Sequence, residues 1–431
     1  MMNKKWLIGL FILAAVIFFA AQPKQITLKV GIFAGSNWDV PNGDCYHIID
    51  EAIKVFEAQH PEIQIEYESG ILKEDYSTWL ATKILQGEEP DVFMVLDEDF
   101  NTLSALGALA DLNNYMQKDT LFEAEDYYES ALKAGQYQEH QYALPYESNP
   151  TLMFVNKSLL LKEGIAVPAG KWNLDDFYEI CQKVTRDTNG DGLVDQYGCY
   201  NYSWLDSVYG HGVNLFDEDG NTCNLYQGQL KEAITFVQRL NQLNQGHIVT
   251  SEEFDMGKVA FSPMSYAQYR TYKPYPWRVK KYSTFEWDCV RMPSLDDCAH
   301  SSEVSSLLIG ISSRTKYKDQ AWNFLKLLTN DVDIQQQQLY YSQGIPALKT
   351  VMQSEEVISY FNQELAADSM IDLTQLNEVM ENTVRKSKFK KYESALNMID
   401  VRIREMLQNS DDLDLSLISL QKEVNKFLKE P

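Results

Sequence analysis

The sequence predicts an α/β protein of two domains, the first built on a mainly parallel sheet. Three observations carry this. The chain has 431 residues, too many for a single core and suited to two domains of ordinary size. Its first hundred residues alternate strand and helix patterns, the order that builds a parallel sheet. The short run Val92–Leu96 is apolar throughout, as expected of a strand covered on both faces.

Ile26, Leu28, Val30 and Ile32 alternate on one face and predict a strand within Gln25–Ala34. A loop over Gly35–Gly43 follows, with Asp44 as the expected helix N-cap. Ile48, Ile49, Ala52, Ile53 and Phe56 then recur at helical spacing until Pro61. Ile63, Ile65 and Tyr67 alternate as a second strand, and a helix around Tyr76–Leu85 leads through Pro90 to the third. Further on, Leu174–Val184 reads as helix, and Glu232–Leu243 as an amphipathic helix carrying Ala233, Phe236, Val237 and Leu240. From about Leu376 the pattern is helical to the end. Ala395, Ile399, Ile403 and Leu407 share one face, and Leu417, Leu420, Val424 and Phe427 another.

The charge narrows the partners. With 38 basic and 62 acidic residues the formal charge is −24, spread without an acidic tail. Nucleic acid needs a basic face and is excluded as a partner, and phosphorylated ligands are disfavoured. Aromatics make up 12%, led by 25 Tyr, residues that pair an apolar body with a polar tip. No P-loop, G-x-S-x-G or H-E-x-x-H motif occurs.

Lys4 and Lys5 precede an unbroken apolar run from Trp6 to Ala21. The run is shorter than the ~20 residues a spanning helix needs and matches the core of an export signal. Residues 1–24 are therefore expected to direct the chain out of the cytoplasm. Cleavage after Ala21 would put bulky Phe19 where a small residue is preferred, so retention as a membrane anchor stays open. The six cysteines are Cys45, Cys181, Cys199, Cys223, Cys289 and Cys298. An exported chain can hold disulfides. Cys289 and Cys298 are near enough in sequence to pair, and six buried thiols are the other reading.

In α/β sheets ligands gather at the carboxyl ends of the strands. Two segments fall there: the loop holding Trp38 and Asp39 after the first strand, and Asp97 with Glu98 after the third. An exposed Trp beside Asn and Asp suits a sugar, whose C–H face packs on the ring while its hydroxyls take the polar neighbours.

Four segments together resemble the family 1 extracellular solute-binding proteins, a group that includes maltose-binding proteins. Gly87-Glu88-Glu89-Pro90-Asp91-Val92 followed by Gly107-Ala108-Leu109-Ala110-Asp111-Leu112 is similar to the family's Pro-Asp strand and G-x-L-x-D-L. Tyr142-Ala143-Leu144-Pro145-Tyr146, leading to Phe154-Val155-Asn156-Lys157, resembles its first crossing between lobes. Phe254 to Phe261 resembles its F-x-x-G-K-x-A-M strand, with Phe261 in place of Met. Ile309-Gly310-Ile311-Ser312 and Ala321-Trp322-Asn323-Phe324-Leu325 resemble its return strand and helix. The match is carried by their order over residues 26–350.

The resemblance implies a two-lobe periplasmic-binding-protein-like α/β fold with three hinge crossings and a helical C-terminal region. It places 25–146 and 306–344 in the N-terminal lobe, and 147–305 and 345–431 in the C-terminal lobe. The crossings are expected near Pro145–Asn149, Glu303–Ser306 and Gly344–Ala347, with Gly344 supplying backbone freedom. Ligand contacts are expected from Trp38, Asp39, Asp97 and Glu98 in the first lobe and Tyr146, Glu147 and Asn149 at the crossing. The second lobe is expected to add Tyr202, Trp204, Met264, Tyr266 and Tyr269. The implied function is the extracytoplasmic sugar-binding subunit of an ABC importer, a monomer that hands an oligosaccharide to membrane permease subunits. A sensor docking on a receptor kinase is the alternative. An extracellular glycosidase using Asp97 and Glu147 is the third reading.

One motif suggests a metal. Asp187, Asn189, Asp191 and Asp195 place oxygens at positions 1, 3, 5 and 9 of an EF-hand-like loop, with Gly192 at position 6 and the Leu193 carbonyl at 7. Position 12 is Gly198, so the bidentate Glu is missing. A structural Ca²⁺ is the expectation, and no organic cofactor.

Overall fold

The computed structural model describes residues 25–168, 172–272, 285–295, 301–364, 371–384, 386–409 and 412–430. The N-terminal segment 1–24 and Cys298 lie outside them. Among the described residues no helix is long and apolar enough to cross a membrane.

Eleven strands are described: β1 (Ile26–Gly31), β2 (Ile63–Tyr67), β3 (Val92–Val95), β4 (Gln136–Tyr137), β5 (His140–Gln141), β6 (Ala143–Asn156), β7 (Tyr197–Cys199), β8 (Val259–Ser265), β9 (Trp287–Val290), β10 (Val304–Ile311) and β11 (Ile345–Pro346). The alternating and apolar runs of the first hundred residues become β1, β2 and β3, which pair in parallel. The helices between them, His47–Gln59 and Lys73–Gln86, follow the expected periodicity. Asp44 is not the cap: the N-cap position falls on Tyr46, with no side-chain bond. Asp44 instead closes a tight turn, its N–H donating to Asn42 Oδ1 at 3.0 Å.

The strand order β2-β1-β3-β10-β6-β8-β7 runs through both lobes, and β6 joins them. Its first half pairs antiparallel with β10, Leu144 opposite Ile309 and Ser148 opposite Ser306. Its second half pairs with β8 on one side and β9 on the other. β11 adds to the middle, with Pro346 opposite Glu147. The three expected crossings thus lie side by side, and the Ser148 and Ser306 hydroxyls bond across two of them at 3.0 Å.

The C-terminal region is three helices rather than one continuous stretch: Leu373–Glu381, Tyr392–Gln408 and Leu413–Lys429. The last two pack with Trp204, Val208 and Leu230 in a core of their own. Lys349–Met352 and Leu373–Glu381 pack instead on Val332–Gln336 and Glu129–Ala134. Ser130 Oγ donates to the Met380 carbonyl at 2.6 Å.

Candidate functional site

The break between Leu373–Glu381 and Tyr392–Gln408 carries the chemistry. Thr383 bridges to Ser302, and the Val384 N–H donates to the Ser302 carbonyl at 3.0 Å, so this segment runs beside the start of β10. Phe389 then anchors it in the second-lobe core, edge-on to Phe216 at 5.1 Å. Gly220 permits that seat: a Cβ there would overlap the Phe389 ring.

From this anchored segment Lys386 and Lys388 reach back to Asp97, at the carboxyl end of β3. Lys386 Nζ lies 3.2 Å from Asp97 Oδ2 and also pairs with Glu303, and Lys388 Nζ lies 3.6 Å from Asp97 Oδ1. Lys388 also sits 5.1 Å over the Phe100 ring, a cation–π contact. The lysine side chains are 19% exposed and Asp97 29%, so solvent screens these pairs little. Burial pushes the Asp97 pKa up, but the two lysines outweigh it and hold the carboxyl below its usual range. Burial works against Lys386 too, and Glu303 with Asp97 still carry it well above its ordinary value. Lys388, with weaker partners, is held down by burial.

Tyr209, Asp206, Tyr392 and Glu393 surround the same charges. Burial raises the Tyr209 phenol, and Glu303 adds to the shift. Its buried hydroxyl finds no hydrogen-bond partner among the described residues. Burial pushes Asp206 up to about 6, against the bonds it accepts from Ser203. The folded protein therefore takes up a proton on Asp206 that the unfolded chain does not hold between about pH 4 and 6. Stability from this group rises as pH falls through that window. In Asp206→Asn, which keeps the capping oxygen, denaturation midpoints should lose that rise, and an unchanged pH profile would sink the assignment.

The sequence-selected residues divide into three groups. Asp97 is central to the cluster, and Glu98 is exposed beside it. Asp39 is exposed and pairs with Lys73 at 3.1 Å, on the first lobe's own surface. The remaining residues correct the picture of open aromatic platforms. Trp38 is 7% exposed and Trp204 2%, both within hydrophobic cores. Trp204 opens the helix Trp204–Gly210 and donates from Nε1 to Asp400 Oδ1 at 2.8 Å. Tyr202 packs on Phe177, centroids 4.9 Å apart. Met264, Tyr266 and Tyr269 are buried, and Tyr269 meets Trp287 edge-on at 6.0 Å. Asn149 accepts from the Ala267 N–H at 3.0 Å and so fixes the start of the helix Tyr266–Tyr272.

Tyr146 and Glu147 belong to the crossing itself. The Tyr146 carbonyl accepts from Gln335 Nε2 at 3.0 Å. Glu147 is 4% exposed and accepts from the Ser342 hydroxyl and from the Gly344 N–H at 2.6 Å. Burial raises its pKa, opposed by those bonds and by the indole of Trp38. The Trp38 N–H nonetheless makes no hydrogen bond of ordinary geometry. Gly344 is not among the glycines with a positive φ. A glycine is required there by close approach: a Cβ would stand 2.6 Å from Glu147 Cγ and 2.8 Å from Cδ. Asp97 is thus bound to two lysines, and Glu147 is enclosed by the hinge.

In the acidic loop 187–195, Asp191 is exposed and Asp187 and Asp195 are half-buried. Asp187 accepts from the N–H groups of Gly190 and Gly192 at 2.6 and 2.7 Å, which hold its pKa below the usual range. Asp191 accepts from the Leu193 N–H, and Asp195 from Thr188. Among the described residues no three His, Cys, Asp or Glu side chains converge as a metal cluster. The donor set is oxygen-only, the kind a hard cation takes, although Asp187 Oδ1 already accepts from both the Asn189 and the Gly190 N–H groups.

Sequence reasoning missed Lys386, Lys388, Tyr209 and Glu393. The available signal was Lys386, Lys388, Lys390 and Lys391, four cations within six residues of a chain carrying −24.

A two-lobe sheet joined by one shared strand, with a polar cluster where the lobes meet, defines a binding-protein architecture. Residues 43–335 match the model of the bacterial extracellular solute-binding protein family, and the chain belongs to that family. Solved structures share the fold at low identity. An ABC substrate-binding protein of Listeria monocytogenes, solved with cycloalternan, is 19% identical, with a TM-score of 0.71 over 94% of this chain and 100% of that one. The sugar-binding protein MalE of Xanthomonas citri is 14% identical, with a TM-score of 0.76 over 93% and 97%. The cyclic α-maltosyl-1,6-maltose binding protein of Arthrobacter globiformis is 16% identical, with a TM-score of 0.75 over 95% and 100%.

Proposed function

We propose that this protein binds a carbohydrate between its lobes, outside the cytoplasm, and delivers it to the membrane subunits of an ABC importer without altering it. The observation that carries the reading is the cluster of Asp97, Lys386, Lys388, Glu303 and the unpartnered Tyr209 hydroxyl where the lobes meet. Donors and acceptors from both lobes facing one another suit a ligand covered in hydroxyls. The solved structures similar in fold include complexes with cycloalternan and acarbose, which supports an oligosaccharide. Asp97, Glu98, Lys386, Lys388 and Tyr209 are the contacts we assign. The lobe division proposed is 25–146 with 306–344 and 147–305 with 345–431, except that the helices Lys349–Met352 and Leu373–Glu381 pack on the first lobe through Val332–Gln336 and Glu129–Ala134.

A thermal-shift screen over a sugar panel tests this, because a ligand bound only by the folded state raises the melting temperature by mass action. A sugar that raises it should be recovered chemically intact after incubation. A panel with no hit, or release of hydrolysis products, would overturn the reading.

The loop 187–195 is proposed to hold a structural Ca²⁺ away from the ligand. A chelator should lower the melting temperature of the wild type and leave Asp187→Ala/Asp191→Ala unaffected. Sugar affinity should stay within about threefold in either case. An unchanged wild-type curve would make the loop a plain turn.

A further inference from the structure

Cys181 and Cys199 stand at the two ends of the acidic loop. Cys181 is fully buried in the helix Leu174–Val184, and Cys199, half-buried, ends β7 and packs on the same core. Both are thiols in this structure. The strand presses onto the helix at this point: a Cβ on Gly198 would stand 2.6 Å from Cys181 Cα and 2.9 Å from its Sγ. Three further bonds fix the approach. Thr185 Oγ1 donates to the Cys181 carbonyl at 2.7 Å, the Gly198 N–H donates to Thr185 Oγ1 at 2.9 Å, and Gln196 Nε2 donates to the Val184 carbonyl at 2.9 Å. Cys199 packs on the same core as Cys181 and, after burial, raises the Cys181 thiol pKa further.

We propose that Cys181 and Cys199 form a disulfide that staples the loop 187–195 to the second-lobe core. Such a bond closes a short ring and restricts the unfolded chain, the main route by which disulfides stabilise. The reaction is an exchange with a disulfide-bearing oxidant, either a small-molecule disulfide or an exported thiol oxidoreductase. The Cys199 thiolate, the more accessible, attacks one oxidant sulfur and expels the other as a thiol. Cys181 then loses its proton and attacks Cys199 Sγ. The S–S bond forms, and the second oxidant sulfur leaves as a thiol. Two protein thiols are oxidised and one oxidant disulfide is reduced. Burial of Cys181 makes the second step slow in the folded protein, so formation during folding is favoured.

The proposal is independent of the sugar reading. The full chain is refolded with oxidised and reduced glutathione, denatured, treated with N-ethylmaleimide and digested with trypsin. Mass spectrometry should find the peptide ending at Lys183 joined to the one beginning at Asp187, which also carries Cys223. The link should persist in Cys223→Ser and vanish in Cys199→Ser. The oxidised wild type should melt several degrees above its dithiothreitol-treated form, a difference absent in Cys199→Ser. N-ethylmaleimide on Cys181 after oxidative refolding, or Cys181 joined to another cysteine, would overturn it.

Discussion

Lys386→Met should cost about 2–4 kcal/mol of folding stability and abolish measurable sugar binding. The ammonium answers both Asp97 and Glu303, and its removal leaves two half-buried carboxylates facing each other. A buried ion pair is weak evidence of net stability, but breaking one from a single side is costly because the partner charge stays behind. Adding Glu303→Gln should return part of the loss. The Asp97 contribution is present above its unfolded pKa and is lost as pH falls through the depressed folded value. The gap between wild type and variant should therefore narrow below about pH 4. Chemical denaturation at several pH values measures this. A cost under about 1 kcal/mol at neutral pH would show that water screens the pair as it does an ordinary surface bridge.

Gly344→Ala should be comparably severe, about 2–4 kcal/mol, although it adds one methyl group. The new Cβ enters space held by Glu147 and displaces a carboxylate whose bonds to Ser342 and Gly344 tie the first crossing to the third. Glu147→Ala removes the obstructing group, so the double variant should lose less than the two single costs added together. Strict additivity would mean that the methyl is accommodated elsewhere.

The strands of the first lobe were legible because a half-buried strand must alternate and a covered one must be apolar, as Ile26–Gly31 and Val92–Val95 show. The helix Leu174–Val184 was legible to the residue, with Asn173 and Asp176 forming its capping box. The crossings followed from the order of the family motifs. The site was less legible because residue type does not decide exposure. The Trp204 ring suits a sugar platform by residue type, yet it is buried, and its Nε1 bonds Asp400 on a helix 196 positions away. The role of Lys386 is not legible in the sequence because its partner Asp97 is 289 positions distant, and no local pattern records such a pairing. The sequence around Gly344 likewise carries no sign that the Glu147 side chain, on a neighbouring strand, leaves no room there for a Cβ.

The pairing of β3 with β10 also orders events during synthesis. The inner edge of β3 ends at Val95, and the strand that covers it begins at Val304, roughly two hundred residues later. At typical elongation rates that interval is on the order of 10–40 s. Through it the emerging chain carries an apolar strand with one row of backbone groups unpaired, a template for mispairing with another chain. The sheet of β1, β2 and β3 therefore gains its antiparallel neighbour only after β6, β7, β8 and β9 have been made. A nascent chain halted before Val304 should remain open and extended enough to be threaded or held by a chaperone.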